Sequence, residues 1–255
     1  MKHQKLDRIQ QIQESQYQFP YHYIPNLDNG IFSQFYYWSW GFRYFGGMQV
    51  VFDQLETLSF DSLVDIGCGD GRFLREASKR YSSEKLVGVD YSESAVKLAQ
   101  IMNPHLIYKN INIIEEDLSE QFDIATLVEV LEHIPLNQVD DFLKAVANVL
   151  NTDGKLILTV PHANRLVENK HYQHFTSKLL SKFLEPYFQN IVYIPFDIQS
   201  KVMSLLKLII GGNAKYFVLT NFRLTSLFYK LYIKYYLYTD NEQECGRIAA
   251  VCQKR

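Results

Sequence analysis

The segment Leu63-Val64-Asp65-Ile66-Gly67-Cys68-Gly69-Asp70-Gly71-Arg72-Phe73-Leu74 runs from an apolar strand through closely spaced glycines into a helix. Glycine at such a junction lets the backbone turn tightly and lets a ligand come close to it. Dinucleotide-binding enzymes use the same device, so the glycines alone do not name the ligand. Two neighbours narrow the choice. Arg72 stands where a dinucleotide turn wants a third, close-packing glycine, and Asp65 and Asp70 bracket the turn with negative charge. That is a poor setting for a pyrophosphate. It suits a ligand that carries an ammonium group and a sulfonium, with a carboxylate turned toward the helix N-terminus. Asp90 ends the next strand, in Leu86-Val87-Gly88-Val89-Asp90-Tyr91-Ser92, where a carboxylate can accept both hydroxyls of a ribose. Glu115-Glu116-Asp117-Leu118 closes a third strand, with Asp117 placed for an adenine amino group. Each acid alone is commonly a solvated loop end. Three in order at successive strand ends point to one extended ligand.

Histidines supply the candidate proton acceptors. His133 follows the fourth strand, His162 follows the fifth in Thr159-Val160-Pro161-His162, and His171 and His174 come next. Imidazole titrates near neutrality, so any of them can serve as a base. A histidine ahead of a helix also commonly does no more than bond a backbone group. His133 is the first candidate for the catalytic base and His162 the second. Glu129, Glu132, His133 and His174 offer oxygen and imidazole donors of the kind that hold magnesium or manganese. The same residues serve equally as pocket structure, and the expectation is a site without metal.

Elements that would position these groups alternate from residue 62 onward, the pattern of a parallel sheet covered on both faces by helices. Ser62–Ile66, Leu86–Val89, Ile111–Ile114 and Ile124–Val128 read as the first four strands, with helices at 70–80 and 93–102 between them. Helix 136–150 shows Val139, Phe142, Leu143, Val146, Val149 and Leu150 at helical spacing. Asp153-Gly154 turns into strand 155–160, Thr176 caps a further helix, and 190–195 and 247–253 read as the last two strands.

The series Asp65-Ile66-Gly67-Cys68-Gly69-Asp70-Gly71, Asp90, Asp117 and Glu129-Val130-Leu131-Glu132-His133-Ile134 resembles the successive motifs of class I S-adenosylmethionine (SAM)-dependent methyltransferases. The likeness covers roughly 60–195 and recurs in the final strand, and it is strongest to the subgroup of ubiquinone-pathway O-methyltransferases and sugar methyltransferases. It implies an α/β, Rossmann-like, seven-stranded, mostly parallel sheet with a reversed last strand, and SAM as cofactor. By the same resemblance Asp65, Gly67, Cys68 and Gly69 cradle the methionine part and Asp90 and Tyr91 the ribose. Asp117 and Leu118 frame the adenine, and Glu129 lies under the methionine end. A Glu-x-x-Glu-His set with a distant histidine also resembles the metal site of small-RNA 3′-end methyltransferases, and related metal use occurs among ubiquinone-pathway enzymes.

Two regions fall outside the likeness. Residues 19–47 are dense in aromatics, including Phe19, Tyr21, Tyr23, Phe32, Phe35, Tyr36, Tyr37, Trp38, Trp40, Phe42, Tyr44 and Phe45. They read as a packed helical cap or as a lid over a ligand, within an N-terminal unit of about 1–60 that opens with a helix over 3–17. The remainder, 61–255, reads as the SAM-binding domain with a helical insertion at about 198–245. Residues 198–238 hold Lys201, Lys207, Lys215, Arg223, Lys230 and Lys234 and no acidic residue, and read as a helical pair around Gly211-Gly212. A solvated face, an anionic acceptor at the pocket mouth, a partner or a membrane surface each fit that charge.

Composition bounds the rest. A chain of 255 residues that is 47% hydrophobic and 21% charged can bury a full core. A net charge of −2 does not favour nucleic acid. Three scattered cysteines make neither a disulfide framework nor a zinc site. With no signal-like core and no run long enough to span a bilayer, the expected setting is cytoplasmic. The expectation is an enzyme methylating a small, anionic acceptor at oxygen, such as a glycan precursor, a phosphorylated metabolite or a phenol, as monomer or homodimer. The alternatives are an amino-sugar N-methyltransferase, a metal-dependent RNA 3′-end methyltransferase, and a non-catalytic SAM-binding module.

Overall fold

A computed structural model describes residues 7–17, 21–33, 38–81, 84–209, 219 and 221–255. Leu6, Phe19, Phe35, Tyr36, Tyr37, Gly211-Gly212 and Lys215 lie outside the described residues. The amino-terminal unit holds helix α1 (Arg8–Gln16), the short antiparallel strands β1 (Asn26–Asp28) and β2 (Ile31–Ser33), and helix α2 (Trp38–Leu55). Alternation then sets in: β3 (Ser62–Ile66), α3 (Arg72–Ser78), β4 (Lys85–Asp90), α4 (Glu93–Met102), β5 (Ile107–Asn110), β6 (Phe122–Val128), α5 (Val139–Asn148), β7 (Leu150–Pro161), α6 (Ser177–Leu184) and β8 (Phe188–Ile198). Helices α7 (Lys201–Ile209) and α8 (Phe222–Tyr236) precede the last strand, β9 (Cys245–Lys254). Among the described residues no helix is long and apolar enough to cross a membrane.

Seven strands form one sheet in the order β5-β4-β3-β6-β7-β9-β8. All pairs are parallel except those of β9, which runs antiparallel to both neighbours. The expected seven-stranded, mostly parallel sheet with a reversed last strand is therefore present, as are the cap and the insertion. Because both faces are covered, the central strands are continuous apolar runs rather than alternating ones. Successive residues still feed opposite cores. Val64, Ile66, Val87 and Leu127 pack with Phe142, Leu143 and Leu180 from α5 and α6. Leu63, Leu86 and Ile157 pack on the other face with Phe52 of α2, Leu74 of α3 and Ala99 of α4. In α5 the buried Val139, Phe142, Leu143, Val146 and Ala147 recur at helical spacing, and Phe142→Ala would cost about 3–5 kcal/mol.

Two boundaries differ from the sequence reading for identifiable reasons. The third strand is Ile107–Asn110, paired with Val87–Asp90 of β4, and not Ile111–Ile114. The isoleucine run lies past the sheet edge, where Asn112 organises a turn through its carbonyl and its side chain. Its apolar surface lines a cavity instead of pairing in the sheet. The helix read over 136–150 opens with a single 3-10 turn, Leu136–Gln138, and ends at Asn148 because Leu150 already pairs with Phe122.

The cap is seated from both sides. Phe32 stacks on Tyr229 of α8 at 5.4 Å and meets Phe42 of α2 edge-on at 4.6 Å. Gly46 permits the close approach of α8 to α2, since a Cβ there would stand 2.9 Å from the Tyr232 ring.

Candidate functional site

Strand order creates the crevice. From β3 the chain moves outward through β4 and β5, then returns to the other side of β3 as β6, so the carboxyl ends of β3 and β6 diverge at a topological switch point. A cavity of about 1010 Å³ opens there. Asp65, Gly67, Cys68, Gly69, Asp90, Tyr91, Glu129 and His133 all line it.

Gly67 has φ +75° and would place a Cβ 2.7 Å from Val130, so only glycine fits that turn. Arg72, in the position of the missing third glycine, is buried and donates to the carbonyls of His22 and Pro25 at 3.0 Å each. It thereby ties the amino-terminal segment to the turn. Asp70 bonds His22 at 2.9 Å and does not line the cavity.

Asp90 accepts the Gly69 amide on one oxygen and the Ser92 amide on the other, both at 2.9 Å. Burial still raises its pKa to about 6, against the lowering by those two amides. Asp65 accepts from the Thr126 hydroxyl at 2.8 Å, and burial pushes it to about 7. Such carboxylates are held at a cost that donors on a bound ligand would relieve. Ribose hydroxyls at Asp90 and an ammonium near Asp65 are donors of that kind, so these residues fit SAM.

Three expected site residues do not reach the cavity. Asp117 is exposed and accepts the Ser119 amide at 3.2 Å within its own turn. Leu118 is buried in the core under the sheet. The wall expected from them is built by Ile111, Asn112, Ile113 and Ile114. His162 is buried at the end of β7, where Nδ1 accepts the Asn164 amide at 3.1 Å. Its Nε2 therefore carries the proton and donates to Glu242 at 2.9 Å, leaving no free nitrogen for a base. The insertion is absent from the lining as well: no described residue of 198–238 borders the cavity. Among the described residues, the cations that do are Arg43, Arg165, Lys170 and Arg247.

Around His133 the hydrogen bonds fix every tautomer. Nδ1 donates to the Lys170 carbonyl at 2.9 Å, which leaves Nε2 as an unprotonated acceptor. Burial, then Lys170, lower its pKa to about 4. His174 donates from Nδ1 to the Arg165 carbonyl at 3.1 Å, so its Nε2 accepts the Nδ1 proton of His171 at 2.9 Å. His171 is then left with a bare Nε2 of its own, and its ring meets that of His133 edge-on at 4.8 Å. Donor atoms of Glu132, His133 and His171 lie within 4.8 Å of one another. Glu132 is buried with Oε2 unpartnered, and burial followed by Glu129 raises its pKa strongly. Glu129 itself has φ +58° and faces Arg247 at 3.2 Å. A non-glycine residue in that region is held by its surroundings at a cost of order 1–3 kcal/mol, a strain that gathers at functional sites.

The amino-terminal helix closes the cavity. Gln10, Ile12, Gln13, Gln16 and Tyr17 line it, and Glu14 accepts from Ser92 at 2.6 Å. Asp7 caps α1 through the Ile9 and Gln10 amides and also accepts from the Tyr172 hydroxyl. From the aromatic segment, His22, Trp40 and Tyr44 line the cavity while Phe32, Phe42 and Phe45 sit in the core, so it serves as both cap and wall. The sequence named His171 among the candidate bases and read a helix at the amino terminus, but not that His171, α1, Arg43, Arg165, Lys170 and Arg247 border one cavity, because nothing in linear spacing brings them to the glycine turn.

A family described as methyltransferase domain matches residues 40–192. The chain belongs to that family. A putative methyltransferase of invertebrate iridescent virus 6 is 26% identical over 158 residues, covering 59% of this chain and 58% of its own. A ubiquinone biosynthesis O-methyltransferase of Coxiella burnetii is 33% identical over 118 residues, covering 44% and 48%. The chain thus spans about half the length of the curated relatives it matches. Among solved structures, a SAM-dependent methyltransferase of Archaeoglobus fulgidus superposes with a TM-score of 0.57 at 18% identity, covering 86% of this chain and all of that one. The N-methyltransferase NodS of Bradyrhizobium japonicum, in complex with S-adenosylhomocysteine, gives 0.56 at 13% identity, covering 84% and 87%. At such identities the methyltransferase domain shares the fold of these structures.

Proposed function

We propose that this methyltransferase domain transfers the methyl group of SAM to an oxygen of a small anionic acceptor, with His133 taking the acceptor's proton. The observation that carries it is His133 itself. It lines the cavity at the carboxyl end of β6, and the Lys170 carbonyl holds its proton on Nδ1 so that Nε2 is free to receive another. Bound in the cavity, SAM would supply a carbon already activated by positive sulfur. The chain then has to align the acceptor oxygen and exclude water, which can provide most of the rate. Asp65, Gly67, Cys68 and Gly69 form the methionine side of the pocket, and Asp90 and Tyr91 the ribose side. The isoleucine wall takes the flat base. As the acceptor O–H becomes an O–CH3, its proton passes to Nε2, and a neighbouring acceptor anion stabilises the imidazolium formed. Arg43, Arg165, Lys170 and Arg247 favour such an anion, in place of the insertion lysines. Residues 1–60 act as cap and lid, and 61–255 as the SAM-binding domain.

The test uses purified protein, methyl-labelled SAM, and phenols, sugar phosphates and amino sugars as acceptors. His133→Ala should lower kcat on an accepted substrate by about 10²–10⁴-fold and leave S-adenosylhomocysteine affinity unchanged. Full turnover in that variant would remove His133 from the role. Methylation confined to amines would overturn the oxygen assignment.

The juxtaposed donors of Glu132, His133 and His171 favour a second reading, in which a divalent cation replaces the base. His174 would then be the partner that orients His171, and not a ligand. These residues fit magnesium or manganese, which would polarise the acceptor oxygen. Activity that survives chelation, together with no manganese binding by calorimetry, supports the base. Loss of activity restored by the metal supports the cation.

A further inference from the structure

Helix α8 is amphipathic in an unusual sense: hydroxyl contacts and the rings of Tyr229 and Tyr232 point inward, and a largely aliphatic strip points out. Tyr229 and Tyr232 are buried, the Thr225 hydroxyl donates to the Phe32 carbonyl, and the Ser226 hydroxyl donates to that of Gly30, each at 3.3 Å. The helix is therefore firmly seated, capped by Asn221 on the amides of Arg223 and Leu224. On the outer side Leu224, Leu227, Leu231 and Tyr235 recur at helical spacing, with Leu227 51% and Tyr235 57% exposed. Phe222 extends this strip at the amino end, 49% exposed. At 3.6 residues per turn, Arg223, Lys230 and Lys234 fall in an adjoining stripe, and all three are exposed. Lys201 is exposed at the start of α7. Between Asp197 and Asp240 the sequence has no acidic residue.

We propose that the outer face of α8 docks on an anionic lipid bilayer, with the aliphatic strip in the headgroup–acyl boundary and the basic stripe against lipid phosphates. Aliphatic exposure alone would fit a second copy of the chain equally well. The charge decides between them. An isologous contact would set these cations against their own copies with no carboxylate on the helix to meet them, whereas a negative surface complements them. Apolar area sunk in the interface and attraction to anionic lipid add together in such binding. This inference is independent of the acceptor and of His133, since no described residue of 198–238 borders the cavity.

Flotation of the full chain with vesicles tests it, using phosphatidylcholine alone and phosphatidylcholine mixed with phosphatidylglycerol. Wild type should float with the mixed vesicles, weakly or not at all with the neutral ones, and should be released by high salt. Lys230→Gln with Lys234→Gln should lower the partition coefficient by about 30-fold. Leu227→Gln with Leu231→Gln should abolish it, while melting temperature and S-adenosylhomocysteine affinity stay at wild-type values and report an intact fold. Failure to float with anionic vesicles, or equal flotation by the leucine variant, overturns the proposal. So does a wild-type dimer in light scattering that the leucine variant converts to monomer, which would assign the face to a second copy.

Discussion

Replacing Asp90 by Asn tests the cofactor pocket most sharply, because the charge proposed to hold the ribose is also a burden on the empty protein. Burial lifts the Asp90 pKa from 3.8 to about 6. If ionised Asp90 accepts the ribose hydroxyls, affinity should follow its ionised fraction, so that S-adenosylhomocysteine binds about ten-fold more weakly at pH 5 than at pH 7. The variant should lose that pH dependence and bind about 10- to 150-fold more weakly at pH 7, the scale of a charge-assisted hydrogen bond. Stability of the free protein should move the other way. A carboxyl raised in the folded state contributes stability fully below its unfolded pKa and loses it as pH rises through the folded value. The unfolding free energy of wild type minus that of Asp90→Asn should therefore fall by up to about 3 kcal/mol between pH 4 and pH 8. Taking the difference cancels the constant cost to the Gly69 and Ser92 amides, one of which loses its acceptor oxygen. Isothermal calorimetry across pH and denaturant unfolding of the free protein supply the two curves. Parallel affinity curves for the two proteins, or wild-type affinity in the variant at pH 7, would refute the ribose role.

Other expectations concern the neighbouring groups. His162→Ala should cost about 1–3 kcal/mol of stability by leaving the Asn164 amide without its acceptor and removing one of the donors to Glu242, which keeps those of Ser177, with kcat unchanged; a large fall in kcat would return His162 to the chemistry. His133 is neutral in the folded protein down to about pH 4, so its contribution to stability is full above its unfolded pKa near 6.5 and fades as pH falls toward 4. At saturating SAM its titration should leave kcat flat between pH 6 and 8, and a limb with a pKa near 6.5 would point to another base. Asp7→Ala removes the α1 cap and the Tyr172 contact together, costing about 1 kcal/mol or more. Limited proteolysis should then cut near Arg8 faster, with S-adenosylhomocysteine restoring protection; equal cleavage rates would separate α1 from ligand closure.

The local chemistry of the site was legible in the sequence wherever neighbours along the chain are also neighbours in space. Gly67, Asp90 and Glu129 each end a strand, and strand ends of a parallel sheet meet at one edge, so their order along the chain maps directly onto the cavity. The strand-then-helix alternation identified the sheet for the same reason. Tertiary structure alone decided what came from elsewhere. Ile111–Ile114 reads as a strand because apolar spacing does not distinguish a sheet core from a pocket wall. Asp117 resembled a ligand contact by position, yet its strand ends at Asn110, which leaves it past the pocket in a turn of its own. His162 and His133 look alike in sequence, both standing just past a strand end. Only the partners of each ring show that one is saturated and the other retains a free nitrogen. His171 acquires its bare Nε2 through His174 and the Arg165 carbonyl, a tautomer relay that no residue spacing encodes. The basic insertion was visible as charge, but the direction it faces depends on how Tyr229 and Tyr232 pack against the cap. That packing turns Lys230 and Lys234 away from the cavity, because burying the Tyr229 and Tyr232 side of α8 leaves its aliphatic and basic sides outward.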